Sequence, residues 1–135
     1  MKLIYTVCAE NVIIDQFTNK VTLIAVADGY QFPQFPIVLA NLALVVAYGR
    51  QADEPEHIDG TVKFRLNDQP IFEAPIKVDF QGNLRTRLVS QISGFVISGP
   101  GTMKATVAVP GAEDANWTIE IQSLAVPSVE QIGPQ

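Results

Sequence analysis

The sequence is poor in the residues that build most catalytic and metal sites. Among its 135 residues there is one cysteine, one histidine and one tryptophan. A single cysteine excludes an internal disulfide, and a nucleophilic thiol needs a nearby base. The only histidine, His57, lies in an acidic loop far along the chain from Cys8. We therefore predict no enzyme activity, no cofactor and no metal site, and expect Cys8 to be a small buried hydrophobe in the first strand.

Basic charge and long apolar runs are also scarce. Nine Lys and Arg residues stand against 14 Asp and Glu residues, which gives a net charge of −5. A protein that binds nucleic acid generally needs a basic stripe, so we expect no nucleic-acid partner. No run approaches the ~20 apolar residues of a membrane-spanning helix, and the first apolar run ends at Glu10, too early for a signal peptide. We expect a cytoplasmic protein without a membrane span.

What the chain does contain is β-branched sequence with an alternating pattern. It has 15 valines and 13 isoleucines, which pack well on a pleated surface. Turn residues separate the alternating runs, and no segment keeps a helical period over three turns. The pattern predicts an all-β, single-domain antiparallel β-sandwich of about eight strands, immunoglobulin-like or jelly-roll-like. This domain is expected to cover residues 1–124, and residues 125–135 are predicted to form a flexible or docking C-terminal tail.

The first half of the chain has three distinct parts. Leu3–Ala9 begins a hairpin, with a bulge at Glu10–Asn11, and Val21–Ala27 returns as its second strand. Residues 28–41 contain two prolines and are predicted as a long connection, with one short helical turn near Ile37 to Asn41. Leu42 to Gly49 is apolar on both faces. Such a strand is covered on both sides, either centrally beneath a loop or against another subunit.

The second half is predicted as a succession of strands and turns. Asn67 and Asp68 mark a turn between two alternating runs. Pro75 lies on the outer row of the next strand and predicts a sheet edge or a bulge. Gly94 interrupts a long alternating segment and predicts that the strand is divided or kinked there.

The chain resembles a family of small, uncharacterised bacterial proteins. The opening strand, the hairpin, a Phe-Pro loop and an apolar strand ending near arginine carry the resemblance, on Lys2, Tyr5, Cys8, Val12, Asp15, Lys20, Phe35-Pro36 and Leu42 to Arg50. Pro100-Gly101 matches the turn before one of the closing strands. The family usually has glycine in the second strand, where this chain has Ala25 or Val26, and Gly-Tyr-like residues where it has Thr102-Met103. The resemblance implies a β-sandwich and no established activity.

The aromatic residues between residues 28 and 36 form the main candidate interaction surface. Tyr30, Phe32 and Phe35 stand among glycine and proline. Aromatic side chains held by prolines bind a partner with little ordering cost. The alternative interpretation is that the three rings close one end of the sandwich, since a domain of this size needs aromatic side chains in its core.

The segment from Asp53 to Asp59 is the main candidate cation site. It places four carboxylates and His57 in seven positions, and other loops carry Glu113, Asp114 and Asp28. Calcium takes several oxygen ligands, often from loops, but the segment lacks the spacing of a calcium loop. We interpret it as a solvated acidic loop.

These observations favour a non-catalytic protein-binding or assembly module that self-associates. The apolar strand of Leu42 to Gly49 lies next to the aromatic loop. Together they indicate hydrophobic surface that a monomer does not fully cover. The alternative function is a ligand-binding β-sandwich for carbohydrate, or for calcium and a lipid headgroup. Exposed Trp117 and Tyr30 on one sheet face would favour the sugar, whereas Trp117 shares its row with Ile119 and Ile121 and is therefore predicted to be buried.

Overall fold

The computed structural model describes residues 1–124, and within them the chain forms nine β-strands. The predicted C-terminal tail, residues 125–135, lies outside the described residues. The strands are β1 (Lys2–Ile14), β2 (Val21–Val26), β3 (Gly29–Phe32), β4 (Ile37–Gly49), β5 (His57–Leu66), β6 (Gln69–Asp79), β7 (Arg85–Ile97), β8 (Gly101–Ala108) and β9 (Ala115–Ser123). None of these residues belongs to a helix long and apolar enough to span a membrane.

The strands form two packed sheets and confirm the predicted β-sandwich. The four-stranded sheet has the order β2-β1-β4-β7, and the five-stranded sheet has the order β3-β9-β8-β5-β6. All neighbouring strands are antiparallel except β3 and β9, which are parallel. The order β9-β8-β5-β6 matches strands G-F-C-C′ of a variable-type immunoglobulin domain, and β1-β4-β7 matches A-B-E. The topology is therefore immunoglobulin-like rather than that of a jelly roll.

The main core lies between the two sheets. Its centre is aromatic, because Phe64, Phe72 and Phe95 contact one another with ring centroids 4.9–6.2 Å apart. Leu44, Val46 and Tyr48 of β4 face this core from the four-stranded sheet, as alternation along the strand requires. Every residue classed as buried in the described chain is hydrophobic.

A second apolar cluster lies on the outer face of the four-stranded sheet. Ala43 and Val45 of β4 are 1% and 0% exposed there, and Val12 packs against both. The hairpin of β1 and β2 supplies this cover, because the end of β1 folds back across the sheet. Its turn reaches β7, where the Nη2 of Arg87 donates to the backbone oxygen and Oδ1 of Asn19 at 3.1 and 3.0 Å. The two apolar faces of β4 are thus confirmed, and the second face is covered within one subunit.

The prediction for residues 28–41 is wrong in two respects. Gly29–Phe32 forms β3, which runs parallel to β9, and the predicted helical turn at Ile37 to Asn41 is the beginning of β4. Ile37 and Val38 lie opposite Ile97 and Val96 of β7, so a sheet ladder satisfies their backbone groups. The two prolines fall in the short connection between β3 and β4, where no ladder hydrogen bond is lost.

Several local predictions from glycine, proline and asparagine are confirmed. Asn67 and Asp68 have φ of 50° and 66°, which is the conformation of a tight hairpin turn between β5 and β6. Pro75 lies on β6, the edge strand of its sheet, and Gly94 has a φ of 79° within β7. One position is unexpected: Ala25 in β2 has a φ of 58°, in the left-handed region. The resembled family usually has glycine in this strand.

Candidate functional site

The predicted interaction surface, Tyr30, Phe32 and Phe35, lies together at one end of the sandwich. Tyr30 stacks on Phe32 with ring centroids 5.6 Å apart, and Phe35 meets Phe32 edge-on at 6.0 Å. All three side chains are half-buried and pack against the main core. Burial raises the pKa of Tyr30, and the nearby charge of Glu10 raises it further. The rings therefore help to close this end of the core, and their role in binding a partner stays a prediction.

Trp117 also faces inward, as its row with Ile119 and Ile121 predicts. Its ring packs against the main core, and Nε1 donates to the backbone oxygen of Ala27 at 2.5 Å. This bond ties β9 to the segment between β2 and β3, where the chain crosses from one sheet to the other. Because Trp117 and Tyr30 are both half-buried, they do not form the open aromatic platform expected of a sugar site.

Arg50 donates several hydrogen bonds that hold the acidic loop in place. Its guanidinium donates to the backbone oxygens of Asn83 and Glu54 at 2.9 and 3.1 Å and to Oε1 of Glu56 at 3.2 Å. The ring of Phe80 lies 5.5 Å below the guanidinium carbon. Glu54 accepts from the ammonium of Met1 and from the backbone nitrogen of Gln51, and these bonds hold the pKa of Glu54 below its usual range. Two of the loop's carboxylates thus have partners within the protein.

The remaining acidic residues lie in several places. Asp59 and Asp114 line one shallow depression, so two of the acidic loops do meet, while Asp28 lies at the start of β3 and accepts a backbone bond from Glu120. His57 Nδ1 lies 3.3 Å from Oδ1 of Asp79. Within residues 1–124, no three His, Cys, Asp or Glu residues gather in a group suited to a metal ion.

Cys8 lies in the main core, as its interpretation as a buried hydrophobe predicts. Its side chain is fully buried between the sheets, and this burial raises its pKa to about 12. The thiol is therefore protonated at neutral pH, and a protonated thiol is a poor nucleophile.

Most of the large exposed hydrophobic residues in the described chain lie elsewhere, on β1, β2 and the turn between them. Seven of the eleven large exposed hydrophobic residues in the described chain fall within residues 4–26: Ile4, Tyr5, Ile13, Ile14, Phe17, Ile24 and Val26. Ile13 and Ile24 share the outer face of the hairpin with Asn11 and Thr22, since these residues are paired as Asn11–Ile24 and Ile13–Thr22. These four side chains are uncharged, and Asp15 and Lys20 border them at the turn. Sequence reasoning did not single it out, although the run Val12-Ile13-Ile14 is a signal that both faces of the strand are apolar.

A cleft of about 540 Å³ lies on the inner side of the same hairpin. Ile14 and Asn19 of the hairpin form one wall, and Arg85 and Arg87 of β7 form another. The cleft has basic side chains although the chain as a whole is acidic. The pairing of Arg85 and Arg87 on one strand face is visible in the sequence, whereas the hairpin that encloses them is not.

Comparison with known proteins adds no identity to this geometry. No family model matches the chain, and no match is found among curated proteins.

Proposed function

We propose that this chain is a non-catalytic binding module that self-associates through the outer face of its β1–β2 hairpin. The observation that carries the proposal is the concentration of exposed apolar side chains on this hairpin. Ile13 is 51% exposed, Ile24 is 43% exposed and Phe17, at the turn, is 89% exposed. Contiguous apolar surface of this kind marks interaction sites on soluble proteins.

The composition of the face favours a second copy of the chain as the partner. The chain carries a net charge of −5, so two copies repel each other at long range, and an uncharged contact surface adds no close like-charge contact to that repulsion. The outer face of the hairpin has Asn11 and Thr22 beside the two isoleucines, and all four are uncharged. A two-fold axis through this face would place apolar side chains against their own equivalents, which is the geometry of most homodimers.

Sedimentation velocity tests the proposal with matched variants. At about 50 µM, a homodimer with a Kd of a few micromolar or tighter sediments mainly as the dimer. We expect this for the wild type and a monomer for Ile13→Ser/Ile24→Ser. The control is Val38→Ser/Val96→Ser, because this adjacent pair is 62% and 56% exposed and lies on β4 and β7 instead. A monomeric wild type, or equal effects of the two double variants, would contradict the proposal.

The aromatic loop is the alternative interaction surface. Tyr30, Phe32 and Phe35 keep part of each ring exposed, next to β9. The variant Tyr30→Ala/Phe35→Ala is expected to retain the dimer if it remains folded, because the hairpin carries the main contact. Loss of the dimer in a variant that is still folded would move the interface to this loop.

The wider setting of the module is also a proposal. Membership of the resembled bacterial family is supported by the β-sandwich fold. A cytoplasmic location is supported by the single cysteine, which is buried as a thiol. Of the alternative ligand classes, carbohydrate, calcium and lipid headgroup, only an anionic headgroup is favoured by a specific feature, the basic cleft.

A further inference from the structure

The floor and walls of the basic cleft follow from the strand register. Lys2 of β1 and Arg85 of β7 both lie opposite Gly49 of β4, one on each side. Two residues earlier in β4, Ala47 lies between Tyr5 of β1 and Arg87 of β7 in the same way. Directly opposed residues in neighbouring strands share a sheet face. Three cationic side chains and a tyrosine therefore surround Gly49 and Ala47, and the side chain of Ile4 covers Gly49, with its Cδ1 3.5 Å from where a Cβ would stand.

The shape of the cleft suits a small molecule. Arg85 and Ile4 line both the 540 Å³ cleft under the hairpin and an adjoining cleft of about 520 Å³ that includes Lys2. Volumes of this size are typical of small-molecule sites. The hairpin wall, with Ile14 and Asn19, shields one side of the floor from solvent.

The three cations form no ion pair within the described chain. The ion pairs of residues 1–124 involve the ammonium of Met1, Arg50, His57 and Lys63, and none involves Lys2, Arg85 or Arg87. Two carboxylates also line the clefts: Asp79 adds a negative charge to the larger cleft, and Glu54 lies in the smaller one. Asp79 accepts from the backbone nitrogen of Gln81 at 2.9 Å and lies beside His57, and Glu54 binds the ammonium of Met1.

Arg87 is held in place and is only partly satisfied. Its Nη2 donates twice to Asn19, while its Nε is buried and has no partner within residues 1–124. A guanidinium has five donors in a fixed planar arrangement that matches phosphate and carboxylate oxygens. Because Asn19 fixes the orientation of the group, an anion that enters the cleft meets a preorganised donor.

We propose that this cleft binds a phosphate group, presented by a small phosphorylated molecule or by a lipid headgroup. A phosphate monoester carries between one and two negative charges at neutral pH, which three cations balance better than they balance one carboxylate. The site is distinct from the proposed dimer surface, because Ile14 and Asn19 line the cleft while Ile13 and Ile24 occupy the opposite face of the hairpin.

A titration with glycerol 3-phosphate tests the proposal directly. The probe is added to the ¹⁵N-labelled protein at constant ionic strength, with glycerol as the uncharged control. We expect saturable shifts of the amide signals of residues 19, 85 and 87. Arg85→Gln should weaken binding by about tenfold or more, because it removes a charge-assisted contact. Arg85 makes no side-chain hydrogen bond within residues 1–124, so this variant should keep the fold.

The control variant and a vesicle experiment complete the test. Arg65→Gln removes an exposed cation from β5, in the other sheet, and should leave the affinity unchanged. Equal weakening by Arg65→Gln and Arg85→Gln, or shifts that never saturate, would overturn the proposal. Sedimentation with vesicles of phosphatidic acid in phosphatidylcholine identifies the source of the phosphate. If the wild type pellets with these vesicles and Arg85→Gln does not, the phosphate belongs to a lipid headgroup. If the wild type binds glycerol 3-phosphate but does not pellet, the ligand is a soluble molecule.

Discussion

Replacing Ala25 with glycine is expected to stabilise the protein. Ala25 lies in β2 with a φ of 58°, and its side chain is exposed. In this region the Cβ atom crowds the following carbonyl oxygen, whereas glycine adopts the same conformation without that contact. The substitution also removes no buried apolar surface, so backbone conformation dominates the result.

Two opposing contributions determine the size of the effect. Relief of the left-handed conformation is worth about 1–2 kcal/mol. Glycine loses more conformational freedom on folding, which costs about 0.5–1 kcal/mol relative to alanine. The net increase in the free energy of unfolding is then between zero and about 1.5 kcal/mol, with a midpoint of about 0.75 kcal/mol. With a urea m-value of about 2 kcal/mol/M, the midpoint rises by about 0.4 M.

Urea unfolding of matched variants measures this difference. Ala40→Gly is the control, because Ala40 is an exposed alanine of β4 that is not among the residues with positive φ. It should lower the free energy of unfolding by about 0.5–1 kcal/mol. The two substitutions are therefore expected to have opposite signs. A fall in the midpoint for Ala25→Gly similar to that for Ala40→Gly would refute the left-handed assignment at this position.

Two further outcomes are expected. Asp15 accepts backbone bonds from Phe17 and Thr18 at 2.8 and 2.9 Å, which lower its pKa. The ionised Asp15 therefore stabilises the fold above its unfolded pKa of about 3.9, and this contribution is lost as the pH falls through its lower pKa in the folded protein. Acidification should lower the melting temperature less in Asp15→Asn than in the wild type, because the variant has no such contribution to lose. Equal losses would contradict this. Phe35→Ala should cost about 2 kcal/mol because its ring packs on Phe32 and the core, while Phe17→Ala should change stability by less than about 0.5 kcal/mol. Equal midpoints in urea for these two variants would exclude Phe35 from the core.

The sequence was informative wherever one residue type determines a local conformation. Alternating runs identified most of the strands, and the double apolar pattern of Leu42 to Tyr48 correctly predicted a strand covered on both faces. Pro75 and Gly94 marked an edge and a kink, since proline cannot donate to a ladder and glycine readily adopts positive φ. Such features depend on residues close together in the chain, so the sequence pattern predicts them.

Features that depend on distant strands were not visible. The two prolines obscured β3 and the start of β4, because the partners of these strands lie in β9 and β7, late in the chain. The fold of the hairpin across the outer face depends on Val12 meeting Ala43 and Val45. For the same reason the basic cleft appeared only when the register placed Lys2 level with Arg85, 83 positions along the chain. The exposed hairpin face was missed because alternation alone does not show which side of a strand is covered.

The most direct test of self-association through the hairpin is an isotope-filtered nuclear Overhauser experiment on a mixed sample. Half of the chains carry ¹³C-labelled isoleucine methyl groups and half are unlabelled, so that cross-peaks report only contacts between copies. The proposed dimer predicts intermolecular cross-peaks from the methyl groups of Ile13 and Ile24, and their loss in Ile13→Ser/Ile24→Ser. Intermolecular cross-peaks that instead involve the rings of Tyr30 and Phe35, or no such cross-peaks at a concentration where the protein sediments as a dimer, would contradict it.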